Sequence, residues 1–215
     1  MTSLFEQEAV ITDIPPITKK RTLSIVREVK LNVEVRLNHL LDGLAENVAD
    51  ALFEEMWALE EKDALEHHFN VIRAVKLHSG IYRREFYKRI DGIWLTYLNR
   101  QELPELTVPP GNAGTLINSC RLKAESHYKP LIRDLKQRFS TLIGLDMHFY
   151  PLRAEVLYIC FWQSIEKLDL KYDERLMLLS LFQRFVMDRY GQLLAIASHT
   201  LSEHSIEPLK EAPLH

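Results

Sequence analysis

The stretch HFYPLRAEVLYICFWQSIEKLDL, residues 148–170, decides the fold. Seven consecutive apolar residues, 156–162, stand inside a chain that is otherwise freely charged. A helix that is apolar all round is buried on every side. Tyr158, Phe161 and Trp162 would each remove a large area from water there. The run is far shorter than the roughly 20 apolar residues that cross a bilayer, and it is too poor in polar groups to line a catalytic pocket. It reads as the central core helix of a helical module. In the alternative, it is a partner groove or a homo-oligomer seam, with part of its surface covered by a second molecule.

Working outward, the rest of the chain carries helical periods. Residues 22–36 alternate enough to resemble a strand, but spacings of three and four dominate after Val33 and favour a helix. Gly43 would end or weaken it. Residues 47–59 place Val48, Leu52, Phe53 and Met56 on one amphipathic stripe. Leu65, Phe69, Ile72 and Val75 mark a further helix. After Ser79, a candidate cap, Ile81, Phe86, Ile90, Ile93 and Trp94 mark another. A long helix over 115–143 should kink or split at Pro130 and stop at Gly144. Asp169 or Asp173 could cap the helix over 173–190, and Gly191 should divide it from a last helix over 192–203.

The expected fold is therefore all-α: a multi-helix bundle of about seven or eight helices in two packed helical subdomains. The expected segments are a flexible N-terminal arm over 1–20, an N-terminal helical subdomain over 21–100 and a Pro/Gly linker over 101–114. A C-terminal helical subdomain over 115–206 and a flexible tail over 207–215 follow. The linker, QELPELTVPPGNAG, holds three prolines and two glycines and is the clearest internal break.

Composition narrows the function classes. The chain has 215 residues, 47% apolar and 27% charged, which suffices for a sizeable core. Its net charge of −3 supplies no global attraction to nucleic acid or anionic lipid. Seven glycines are few for phosphate-cradling loops or hairpins, both of which need positive φ. Cys120 and Cys160 both lie in apolar, helix-like sequence and read as free thiols of a reducing compartment. No signal peptide is evident in MTSLFEQEAV and no apolar run is long enough to span a membrane, so a cytoplasmic location is expected.

The segment from Tyr150 onward carries a family pattern. Pro151 and Leu152 open it, and Leu168, Asp169 and Leu170 close the apolar helix. Arg175, Leu176, Leu178, Leu181, Phe182, Arg184 and Val186 follow, then Gly191. Upstream, DALFEEMWALEE (50–61) and HFNVIRAVKLHSGIYRREF (68–86) match in order. In these positions the chain resembles the N-terminal region of the DUF1631 family of bacterial proteins. Two positions of the proline motif depart from the family: Tyr150 and Ala154. The resemblance implies an all-helical fold and a bacterial lineage, and it assigns no chemistry.

Chemistry-bearing motifs are few. EEMWALEEKDALEHH crowds acids and two histidines. Carboxylate-bridged metal sites in helical bundles use Glu-x-x-His, but Ala64 and Leu65 stand three residues before His67 and His68. Neither G-x-S-x-G nor C-x-x-C is present. No catalytic residue, metal site or cofactor is assigned, and the protein is expected not to be an enzyme.

Charge, by contrast, is segregated. Residues 41–66 carry nine acids against Lys62, and residues 70–100 carry seven bases against Glu85 and Asp91. The plainer reading is two antiparallel helices attracting one another. The functional reading is a basic helix face, 73–89, whose contact residues would be Arg73, Lys76, Arg83, Arg84 and Arg89. Acids such as Glu54 and Glu61 could recruit a basic partner. A regulator or adaptor acting through protein–protein contacts is the leading expectation, and a homo-oligomer is compatible with it. An effector binding an anionic nucleotide or nucleic acid through 73–89 is the alternative. Tyr82, Phe86 and Tyr87 would then form its stacking platform, although the negative net charge weighs against nucleic acid. A helical enzyme with an unrecognised site is the third reading.

Overall fold

The structure, a computed structural model, describes residues 19–56, 62–99, 106–144 and 150–208. The N-terminal arm up to 18, most of the 101–114 linker's first half, the start of the 148–170 stretch and the tail from 209 lie outside the described residues, as does Glu61.

Among the described residues every regular element is helical. α1 is Lys19–Met56, α2 Lys62–Leu98, α3 Asn112–His127 and α4 Lys129–Ile143. α5 is Ala154–Ile165 and α6 Tyr172–Phe185; a 3₁₀ turn, Met187–Arg189, leads into α7, Tyr190–Glu203. The all-α bundle is as expected, but its partition differs. Gly43 does not end α1, because Val33, Leu37, Leu40, Leu41, Leu44 and Val48 form one uninterrupted buried strip on both sides of it. That packing outweighs the roughly 1 kcal/mol that a mid-helix glycine costs. The expected break near Ser79 falls one residue earlier: two helical pieces of α2 meet at a kink at His78, whose φ/ψ of −118°/19° are non-helical.

Other stops fall where the residues require them. Pro130, which has no N–H to donate, occupies the first turn of α4, and α3 ends at His127. Gly144 closes α4 in the left-handed conformation, φ +67°. Neither Asp169 nor Asp173 caps α6. Lys171 is its N-cap residue, and Glu174 in the first turn reaches back to accept the Lys171 N–H at 2.7 Å. Gly191 does not divide the last helices, since the 3₁₀ turn does that and Gly191 lies inside α7. Its need for glycine is a close approach. A Cβ at 191 would sit 2.5 Å from Cε1 of Tyr128, whose ring packs edge-on to Tyr190. Gly191→Ala should therefore destabilise by about 1–3 kcal/mol through overpacking, measurable as a lower urea midpoint at unchanged m-value.

α5 lies at the centre. Ten of its residues, Ala154, Val156 to Trp162, Ser164 and Ile165, are buried, so the fold itself covers the apolar run. α2 and α6 flank it with aromatic rings. Phe161 stacks on Phe182 with centroids 4.0 Å apart and 11° between planes, and Phe86 meets both edge-on at 6.0 Å. Arg175 lies over the Trp162 ring at 5.1 Å. α1 packs on α7, α2 and α6, while α4 packs on α7 and α3 on α5. Buried residues from 25 to 206 form one cluster, so the helices before and after the Pro/Gly segment share a core.

Burial also settles the thiol at 160. Cys160 sits wholly inside, where burial pushes its pKa up to about 12. A thiol that stays protonated is a small apolar side chain rather than a nucleophile.

Candidate interaction surface

α1 and α2 form an antiparallel pair. Lys30 Nζ meets Asp91 at 2.6 Å, Arg83 Nη1 meets Asp42 at 2.5 Å, and the Phe53 and Phe69 rings meet edge-on at 6.2 Å. Charge segregation between 41–66 and 70–100 is thus partly spent inside the fold. These bridges are half exposed, and each is worth about 0–1 kcal/mol, enough to set the register of the pair rather than its stability.

The five basic residues divide by what they touch. Arg83 is held by Asp42, and Arg89 is half-buried with its guanidinium on the Gln163 side chain of α5 at 3.0 Å. Lys76 is exposed and donates to the Glu46 main-chain carbonyl at 3.4 Å. Arg73 and Arg84 are exposed and have no hydrogen-bonding or ion-pair partner among the described residues. Lys88, which the sequence reading left out of the site, shares that condition and lies one turn beyond Arg84. Its i+4 spacing from Arg84 was the available signal.

The aromatic residues do not form a platform. Tyr82 and Phe86 are fully buried, each edge-on to Phe161, and Tyr87 is half-buried. The helical period puts them on the core side of α2, opposite the free cations. Apolar side chains of another kind occupy the outward row. Leu77 is 69% exposed and Ile81 37%, set between Arg73 and Arg84. Further along the same face Leu95 is 58% exposed, and on α1 Leu31 is 60% exposed. An outward row reading Arg-Leu-Ile-Arg-Lys at positions 73, 77, 81, 84 and 88 is mixed apolar and cationic over four turns. Single exposed leucines are ordinary, but a contiguous row is not.

The acidic constellation resolves into something more specific. Glu174 is 1% exposed, yet it is a charged side chain. Its Oε1 accepts from Asn70 at 2.9 Å and meets His67 Nδ1 at 2.9 Å, and its Oε2 takes the Lys171 N–H. Burial alone would push this carboxyl up. The hydrogen bonds outweigh it and hold Glu174 below the ordinary carboxylate range. The wider role of Glu174 was not legible, because His67 and Asn70 lie more than 100 residues away and the only local pattern is a first-turn acid that caps its own helix. His67 presents its Nδ1 to a buried carboxylate, as the histidine of a catalytic triad does. Among the described residues, however, no Ser, Thr or Cys side chain is hydrogen-bonded to it, and the arrangement locks α2 to the start of α6. Glu54, the other acid singled out, lies 3.5 Å from Arg184 on the surface.

An open groove of about 680 Å³ runs between the 108–111 loop, α3 and the start of α5. Val108, Ile117 and Leu122 supply its apolar part. Its charges are already matched: Arg121 binds Asn118 and Glu125, and Glu155 binds Arg153. Among the described residues no helix is long and apolar enough to cross a membrane.

Comparison with known proteins agrees with the motif reading. A family model described as the protein of unknown function (DUF1631) N-terminal domain matches residues 21–205. No curated protein and no solved structure matches the chain. Residues that carry the family pattern have visible duties. Leu178, Leu181 and Phe182 are core, Arg175 covers Trp162, and Gly191 makes room for Tyr128. With the match spanning the whole helical body, the chain belongs to the DUF1631 N-terminal domain family.

Proposed function

We propose that this protein is a non-enzymatic regulator or adaptor of the bacterial cytoplasm, working through protein–protein contact on the outer face of the α1–α2 pair. One observation carries the reading: the row Arg73, Leu77, Ile81, Arg84 and Lys88 is exposed, and its cations lack partners among the described residues. Interfaces combine apolar anchors with a polar rim, and arginine is enriched in them. An anionic nucleotide would use the same cations, yet it would leave Leu77 and Ile81 wet and find no exposed aromatic ring at Tyr82 or Phe86. The nucleotide reading is therefore the weaker one.

A photo-crosslinking residue at Ile81, introduced into the full chain in cells, should give a discrete protein adduct. The same residue at Arg133 on α4 should give none. Arg84→Glu with Lys88→Glu should remove most of the adduct while leaving the helical circular dichroism unchanged, since rim charges act on association. Absence of any adduct at Ile81 overturns the reading.

A further inference from the structure

We infer that the partner of this face is a second copy of the chain, placed by a two-fold axis parallel to the helices so that α1 of each copy lies on α2 of the other. The inference rests on the docking role of the α1–α2 face proposed above and adds the identity of its occupant.

The first ground is charge. Glu46 and Asp50 are exposed on α1 and have no side-chain partner among the described residues. Arg73 is in the same condition on α2, and Lys76 has only the Glu46 main-chain carbonyl. Contacts between the two helices fix which residues lie at one level. Lys30 meets Asp91, Lys76 meets the carbonyl of Glu46, and Phe53 meets Phe69. By that register Glu46 and Asp50 stand level with Lys76 and Arg73. Within one copy these groups lie side by side on adjacent helices and point outward. A two-fold axis along the pair brings α1 over the partner's α2 at the same level. Glu46 and Asp50 then face Lys76 and Arg73 of the other copy, and they do so twice.

The second ground is that the other face-to-face arrangement fails. A two-fold axis perpendicular to the helices lays α2 on α2 and α1 on α1. An axis near the level of residue 80 sets Arg73 against the partner's Lys88 and Arg84 against the partner's Lys76, and it leaves Glu46 and Asp50 opposite no base. Like charges in apposition are what interfaces avoid.

The third ground is area and apolar content. The face from Arg27 to Asp50 is about 35 Å long at 1.5 Å per residue, and two helices are about 20 Å wide. That is about 700 Å² per copy, close to the 800 Å² of a standard interface. Leu31, Leu77, Ile81 and Leu95 stand exposed within it and would be withdrawn from water.

The test is a charge exchange read by sedimentation equilibrium of the full chain. Wild type should be a dimer at micromolar concentration. Arg73→Glu with Lys76→Glu should sediment as a folded monomer, and so should Glu46→Arg with Asp50→Arg. Mixing the two variants should restore a dimer, because each carries the charges the other lacks. A restored heterodimer is not available to variants that merely misfold, and circular dichroism of each confirms its helices. A monomeric wild type overturns the inference, as does a dimer indifferent to both reversals or a mixture that stays monomeric. If wild type is monomeric while Ile81 still crosslinks to a different protein, the self-partner is wrong and the docking face stands. If Ile81 crosslinks to nothing, both are wrong.

Discussion

Phe161→Ala should lower the unfolding free energy by about 3–5 kcal/mol, a large part of the roughly 5–15 kcal/mol that holds a domain of this kind. The ring is completely buried, stacked on Phe182 and edge-on to Phe86 and Tyr82. Removing it takes away the transfer free energy of a large apolar side chain. It also opens a cavity where α2, α5 and α6 meet, and neighbours locked in mutual ring contacts can close it only in part. Urea denaturation followed by circular dichroism reads the effect as a fall in midpoint. Phe161→Leu retains much of the volume and should recover more than half of the loss. If both substitutions cost less than 1 kcal/mol, α5 is not the centre of the core.

Glu174→Ala should cost about 2–4 kcal/mol, because it leaves the Asn70 amide, the His67 ring and the Lys171 N–H without their acceptor in a buried setting. Glu174→Gln keeps the shape and one carbonyl oxygen, and should cost less. The pH dependence separates charge from shape. A carboxyl whose folded pKa lies below its unfolded value of 4.5 stabilises fully above that value. Its contribution is lost as pH falls through the folded pKa, since the unfolded state then binds the proton more readily. Unfolding free energy should therefore drop with acidification below pH 4.5 in wild type. Glu174→Gln should flatten that slope, and urea melts at pH 3.0, 4.0 and 5.5 would show it. An unchanged slope would mean that Glu174 bears no charge in the native state.

What the sequence revealed and what it hid follow one physical division. Short-range rules were legible. The all-round apolar pattern of 156–162 required burial on every side, Pro130 required a break, and Gly144 required a left-handed end. Rules that compare local preference with distant packing were not. Gly43 looks like a stop only while the strip from Val33 to Val48 is considered without the helices that cover it. The basic face shows the same division. Composition located it between 73 and 89, but only packing shows that Arg83 and Arg89 are engaged by Asp42 and Gln163 while Arg73, Arg84 and Lys88 have no partner among the described residues. Tyr82 and Phe86 looked like stacking residues because they are neighbours in sequence of those arginines, and a helix turns neighbours to opposite sides. Glu174 showed only a first-turn acid, since two of its three hydrogen bonds, from His67 and Asn70, come from a segment that only the fold brings to it.

The packing of α1 against α7 has a consequence during synthesis. Asn32 reaches Thr200, Arg36 reaches Gln192 and Glu28 reaches His204, so the first helix is clasped by the last. α7 begins at residue 190 and α1 ends at residue 56. At about 5–20 residues per second the ribosome needs roughly 7–27 seconds to cross that interval. Throughout it the side of α1 that α7 will cover has emerged without its neighbour. The nascent chain therefore presents a ready substrate to chaperones that bind exposed apolar helices, and a message cut short before codon 190 would yield a product that stays in that condition.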